Sequence, residues 1–100
     1  MDQRRLDLQE LLETLTPHVY FQPPNDQTIQ YPCIVYQRYT AKTEFADNIP
    51  YLHEQRYQVT VIDSDPDSDI PKKVAALPKC LQNRFFVAGQ LNHDVFNLYY

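Results

Sequence analysis

One hundred residues carrying a net charge of −4 make one domain, residues 1–100, with a modest core, since a chain this short buries only about two-thirds of the surface it exposes when unfolded. An acidic balance with no basic stripe argues against binding nucleic acid through phosphate neutralisation, and no stretch approaches the ~20 apolar residues that span a bilayer. Eight tyrosines and five phenylalanines supply wide, rigid area with polar tips, suited to a half-buried sheet and to interfaces.

The first residues, Met1-Asp2-Gln3-Arg4-Arg5-Leu6-Asp7, break every apolar run with an acid or a glutamine and are not read as a signal peptide. A cytoplasmic protein is expected, with Cys33 and Cys80 reduced, inert and at least partly buried. Leu8, Leu11, Leu12 and Leu15 then recur at helical spacing with Glu10 and Glu13 on the other side. The spacing predicts an amphipathic helix over 2–15, capped by Asp2 and ended by Thr16-Pro17. Residues 18–21 read as a short strand, Pro23-Pro24-Asn25-Asp26 as a turn and 27–30 as a loop.

Residues 33–40 read as a second strand. Its contiguous Ile34, Val35 and Tyr36 predict a central position covered on both faces. A polar loop over 41–50 follows. From Tyr51 the pattern alternates: Tyr51, His53, Gln55, Tyr57, Val59 and Val61 face one way, and Leu52, Glu54, Arg56, Gln58, Thr60 and Ile62 the other. The acidic run Asp63-Ser64-Asp65-Pro66-Asp67-Ser68-Asp69 leads into a short helix over 70–77 that Pro78 stops. Strands are expected over 84–88 and 94–100, with a turn over 89–92. With one glycine and no Asn-Gly pair, longer loops are expected in place of tight primed hairpin turns. The order is helix, three strands, helix, two strands. That describes an α+β domain with a mostly antiparallel sheet of four or five strands and its helices packed on one face.

The residues that carry chemistry in other proteins are present without their usual spacing. His18, His53, His93, Cys33 and Cys80 include no C-x₂-C and no H-x₃-H pair, so no metal is expected. Asp63, Asp65, Asp67 and Asp69 imitate the opening of a calcium loop. The glycine of its sixth place is missing, and Val74 stands where the bidentate glutamate belongs; a solvated linker with helix-capping aspartates is the reading. Ser64 and Ser68 lie among carboxylates, Cys33 lies in mid-strand, and Gly89 alone makes no phosphate loop. No catalytic residue and no cofactor is therefore expected, and the chain is not read as an enzyme. Tyr36, Arg38, Tyr39, Arg56 and Tyr57 interleave on strands, as in a stacking platform for single-stranded nucleic acid. Cross-strand pairing on a half-wet sheet explains them equally, and the acidic net charge favours it.

Several strings are informative together. Val19-Tyr20-Phe21-Gln22-Pro23-Pro24, Tyr31-Pro32-Cys33-Ile34-Val35-Tyr36 and Ala46-Asp47-Asn48 with Tyr51 make up the first half. Arg56-Tyr57 through Val61-Ile62-Asp63, the Asp-Pro-Asp-Ser linker, Leu77-Pro78 and Leu91-Asn92-His93-Asp94-Val95-Phe96 make up the second. Over nearly its whole length the chain resembles the tail terminator (tail completion, or tail-to-head joining) proteins of long-tailed bacteriophages, sometimes labelled minor capsid or minor tail proteins. The resemblance implies an α+β subunit assembling as a sixfold ring on the finished tail tube. Such a ring stops tube growth and presents a surface to the head connector. The implied partners are a second copy, the tail tube protein and the head–tail connector protein. DNA would be passing cargo, no membrane is involved, and the virion is the final location. A subunit that stays monomeric until a tail end templates it fits as well. A head-completion or connector adaptor is the neighbouring alternative, and a small single-stranded nucleic-acid-binding domain the alternative from another class.

For docking, the polar loop offers Phe45, Asp47, Asn48 and Ile49, with Tyr51 beside it, and the last strand offers Phe96, Tyr99 and Tyr100. Glu54, Asp65 and Asp67 are candidates for acidic walls facing a DNA-conducting lumen. A closed head-to-tail ring needs two different complementary patches. The first strand or the terminal strand is expected at a subunit border, and Pro23 and Pro32 would blunt one side.

Overall fold

The computed structural model describes residues 3–24, 28–39 and 55–100. The elements are α1 (Gln3–Glu13), β1 (Val19–Phe21), β2 (Cys33–Arg38), β3 (Arg56–Asp63), α2 (Ile70–Ala75), β4 (Cys80–Ala88) and β5 (Leu91–Tyr99). This is the α+β order expected from the sequence. The strands form one sheet in the order β1-β2-β3-β5-β4. The β1–β2 pair is parallel and every other neighbouring pair is antiparallel.

Alternation along β3 builds the core. Tyr57, Val59, Val61 and Asp63 are buried, whereas Arg56, Gln58, Thr60 and Ile62 are half-buried. Pairing of Val59 with Tyr36 on one side and Phe96 on the other aligns the apolar faces of β2, β3 and β5. Onto that face come Leu8 and Leu12 from successive turns of α1 and Val74 from α2. Both helices therefore cover the same side. Withdrawing each large apolar side chain from water contributes about 1.5–3 kcal/mol. A polar clasp ties α1 to this core: the Tyr36 hydroxyl donates to Gln9 Oε1 and accepts from Arg5 Nη1 at 3.3 Å.

The register fixes two ends. At the upper end β2 begins, β3 finishes and β4 meets β5, with Cys33 opposite Ile62, Asp63 opposite Asn92 and Ala88 opposite Leu91. At the lower end Arg38 lies opposite Tyr57, Arg56 opposite Tyr99 and Cys80 opposite Leu98.

Four expectations need correction. Of the two strands expected at a border, the first lies at a sheet edge and the last does not: β5 lies between β3 and β4, and β4 forms the other edge among the described residues. β4 begins at Cys80 rather than Arg84, because pairing with β5 recruits Leu81 and Gln82 and absorbs the mismatch in an irregularity between Gln82 and Arg84. The β4–β5 turn is tight after all. Gly89 and Gln90 have φ of 58° and 64°, the signature of a primed two-residue turn, so glycine followed by glutamine does what Asn-Gly does elsewhere. Finally, the aspartates do not cap α2. Asp69 makes no side-chain capping bond. Ser68 Oγ accepts from the Ile70 amide at 3.3 Å, while Asp63 and Asp65 carboxylates accept from the amides of Asp65 and Asp67, each at 2.9 Å. Those carboxylates are used in Asx turns within the linker.

Candidate docking surface

β4 departs from the economy of the rest of the sheet. All of it from Leu81 onward is exposed, including Leu81 at 70%, Phe85 at 55%, Phe86 at 38% and Val87 at 59%. Pairing with β5 explains how one strand exposes apolar groups on both faces. Phe85 lies opposite Asp94 and Val87 opposite Asn92, on the helix-bearing face but at the upper end. α2, only six residues long, reaches the core through Val74 and leaves them uncovered. Leu81 and Phe86, opposite Asn97 and His93, point to the open face. Among the described residues no strand pairs with the outer side of β4, and an edge strand presents unpaired main-chain N–H and C=O groups. Within Cys80–Ala88 only Arg84 carries charge, so the usual charged protection of an edge is sparse.

Two aromatic–cation groups decorate the open side. Phe86 stacks on His93 with centroids 4.6 Å apart, and the Arg84 guanidinium lies 5.3 Å from the Phe86 ring. At the lower end Arg56 lies 4.6 Å from the Tyr39 ring and 5.8 Å from that of Tyr99. The stacking platform suggested by the sequence is divided by this geometry. Tyr36 and Tyr57 are fully buried, edge-to-face at 5.9 Å, with Phe21 4.9 Å from Tyr36. Only Arg38, Tyr39 and Arg56 of that set remain at the surface or half-buried.

A cavity of about 610 Å³ opens at the lower end between the start of α1, the chain leaving α2 and the end of β5. Leu11, Leu77, Pro78 and Leu98 supply its apolar wall, and Arg4, Asp7 and Lys79 its polar rim. Its volume falls within the roughly 300–1,000 Å³ of small-molecule and side-chain pockets.

Of the residues singled out for docking, Phe96 is a core residue with 0% exposure. It pairs between Val59 and Gln82 and has no surface to offer. Tyr99 and Tyr100 are half-buried at the lower end; the Tyr100 main chain exchanges hydrogen bonds with Gln55 at 3.0 and 3.2 Å. Asp65 and Asp67 are exposed at the upper end. Phe45, Asp47, Asn48, Ile49, Tyr51 and Glu54 lie outside the described residues. The signal missed in the sequence is Leu81 with Phe85-Phe86-Val87. Phe85-Phe86-Val87 is a contiguous apolar run, Leu81 stands four residues before it, and their placement on a sheet border is set by pairing alone.

Burial pushes the Cys33 thiol up to about 11, with the Asp63 charge adding to it, and burial alone raises Cys80. Both are free thiols, and such a shift disfavours the thiolate that nucleophilic chemistry needs. Burial also raises Asp94, against a lowering hydrogen bond from Gln82 Nε2 at 3.1 Å. Among the described residues no three His, Cys, Asp or Glu side chains are grouped to hold a metal, and no helix is long and apolar enough to cross a membrane. No family model, curated protein or solved structure matches the chain.

Proposed function

We propose that this chain is a virion assembly subunit. Copies of it ring the end of a completed phage tail tube, halt its growth and form the surface to which the head attaches. One observation carries the reading: β4 exposes Leu81, Phe85, Phe86 and Val87 beside an open sheet edge. A small domain gains from such a surface when another protein covers it. The resemblance of the strings at 19–24, 31–36, 46–51, 56–78 and 91–96 to tail terminators supplies the identity of that neighbour. The reading uses no catalytic residue and no cofactor.

Electron microscopy of purified protein mixed with tail tubes tests it. The expected result is a cap at one end and tubes that stop elongating. Tubes that stay uncapped and keep growing overturn the terminator reading. Binding to the portal-side ring instead moves the subunit to the connector. The Arg84–Phe86–His93 and Arg56–Tyr39–Tyr99 groups favour a second reading, single-strand nucleic-acid binding. It predicts affinity for oligonucleotides that falls steeply with salt.

A further inference from the structure

The bonding of β5 decides which main-chain groups of β4 face outward. Tyr100 exchanges main-chain hydrogen bonds with Gln55, just before β3, and the Tyr99 amide donates to the Lys79 carbonyl, just before β4, at 3.1 Å. Even-numbered residues of β5 therefore bond towards β3 and odd-numbered ones towards β4, in the alternation of an antiparallel ladder. His93 lies opposite Phe86, and Val95 opposite Arg84, so Arg84, Phe86 and Ala88 turn their main-chain groups inward. Phe85 and Val87 turn theirs outward. The irregularity between Gln82 and Arg84 ends this stretch, which leaves Phe85 and Val87 as one short, regular edge. Their side chains lie on the helix-bearing face, and those of Arg84 and Phe86 on the open one. The charge on that open face is one-sided. β4 carries no carboxylate, and among the described residues of β3 and β5 the acids Asp63 and Asp94 stand on the other face. Asp94 there accepts from Gln82 Nε2. Among the described residues the Arg84 guanidinium meets the Phe86 ring and no carboxylate.

Resting on the proposed role of β4 as a surface that another protein covers, we infer that its edge takes an extended segment of a different protein by antiparallel strand addition, and that this segment reads apolar–acid–apolar. The two apolar residues lie opposite Phe85 and Val87, bond their outward main-chain groups and cover their side chains. The acid between them lies opposite Phe86 on the open face, diagonal to Arg84 and within reach of its long side chain. Main-chain bonds supply affinity, and the unpaired arginine selects the acid. A second copy of β4 is the wrong strand for this edge, because it brings another arginine and no acid.

Three end-blocked peptides serve as probes: Thr-Val-Glu-Val-Thr, Thr-Val-Lys-Val-Thr and Thr-Ser-Glu-Ser-Thr. NMR titration of the full chain should give a Kd below about 1 mM for the first and binding weaker by about tenfold or more for the other two. With the first peptide bound, hydrogen exchange should slow at the Phe85 and Val87 amides and stay unchanged at Phe86, whose amide already bonds β5. Arg84→Glu should reverse the preference between the glutamate and lysine peptides. Val87→Pro removes one outward N–H, a change that an edge strand tolerates, and should bind the first peptide about tenfold more weakly than Val87→Ala does; thermal melting checks that both are folded. Equal affinity for the glutamate and lysine peptides, unchanged exchange at Phe85 and Val87, or no binding up to about 1 mM overturns the inference. So does self-association of the wild type, read by sedimentation velocity, that the glutamate peptide fails to displace. If these results overturn it while the protein still caps tail tubes, the terminator reading stands. If the peptide binds as stated and tubes remain uncapped, the terminator reading alone fails.

Discussion

Replacing Phe96 by alanine decides between two uses of an aromatic residue in the last strand. As a docking residue, Phe96 should be dispensable for folding; as a core residue, it should be indispensable. Its ring has 0% exposure and belongs to the cluster that joins Leu8 and Leu12 of α1 to Tyr57 and Val59 of β3. Truncation there loses the transfer free energy of the ring and leaves a cavity, a combined cost of about 3–5 kcal/mol. A domain of this size holds only about 5–15 kcal/mol in total. The control is Phe85→Ala on the neighbouring strand. With more than half its surface in water, Phe85 should cost no more than about 0.5 kcal/mol. Urea titration followed by circular dichroism reads both. With a slope of about 1–3 kcal/mol per molar, Phe96→Ala should move the midpoint by about 1 M or more, and Phe85→Ala should leave it nearly unchanged. A loss under about 1 kcal/mol at Phe96, or equal losses at both sites, would falsify the core assignment and the sheet register behind it.

Further outcomes follow from the same geometry. Tyr36→Phe removes the hydroxyl shared by Gln9 and Arg5 and should cost about 1–2 kcal/mol, with a non-additive double mutant when combined with Gln9→Ala; additivity would show that the clasp contributes nothing. Cys33, held protonated up to about 11, should react with a thiol reagent at pH 8 far more slowly than a thiol in the urea-unfolded chain, and equal rates would contradict its burial. The linkage has a definite sign. A raised thiol pKa means the native state binds the extra proton, so this contribution is present below the unfolded thiol pKa and is lost as pH climbs from there towards 11; Cys33→Ser should flatten that decline. Asp94, raised by burial, is most unfavourable when ionised. Asp94→Asn should therefore stabilise at neutral pH and lose its advantage once acid protonates the wild-type carboxyl, whereas destabilisation at both pH values would refute that reading.

Much of the fold could be read from local pattern because single elements carry their own periodicity. Leu8 and Leu12 mark the inner face of α1, and Tyr57, Val59 and Val61 mark that of β3, whatever their neighbours are. Strand order is a different kind of information. Nothing in Asn92-His93-Asp94-Val95 says that this strand is flanked twice, and only its pairing with β3 and β4 makes Phe96 a core residue. The start of β4 was hidden for the same reason: Gln82 and Asn83 carry no strand pattern, and the ladder with β5 holds them. The tight turn was obscured by a rule of thumb about Asn-Gly, although Gly89 already supplied the residue that a positive φ prefers. Of the candidate docking surface, the tyrosines suggested an interface-rich composition, but Tyr36 and Tyr57 are buried in the core and none lies on β4. The exposed set on β4 is aliphatic and phenylalanine-based, and it is visible only with β4 placed at a border.

The two sheet borders are treated differently, and that asymmetry bears on assembly. β1 is very short and runs into consecutive prolines, both of which discourage another strand from pairing. β4 is three times as long and exposes large apolar groups to either side, with one irregularity and one arginine to restrain it. A monomer selected only to remain soluble gains nothing from protecting the shorter border and leaving the longer one open. A subunit that must remain single until it meets the correct neighbour gains from that arrangement. β1 is closed to indiscriminate strand addition, whereas β4, with its irregularity, leaves Phe85 and Val87 in water. A ring at the end of a tube, as proposed, needs one border that pairs and one that does not, and the contrast between β4 and β1 supports that proposal.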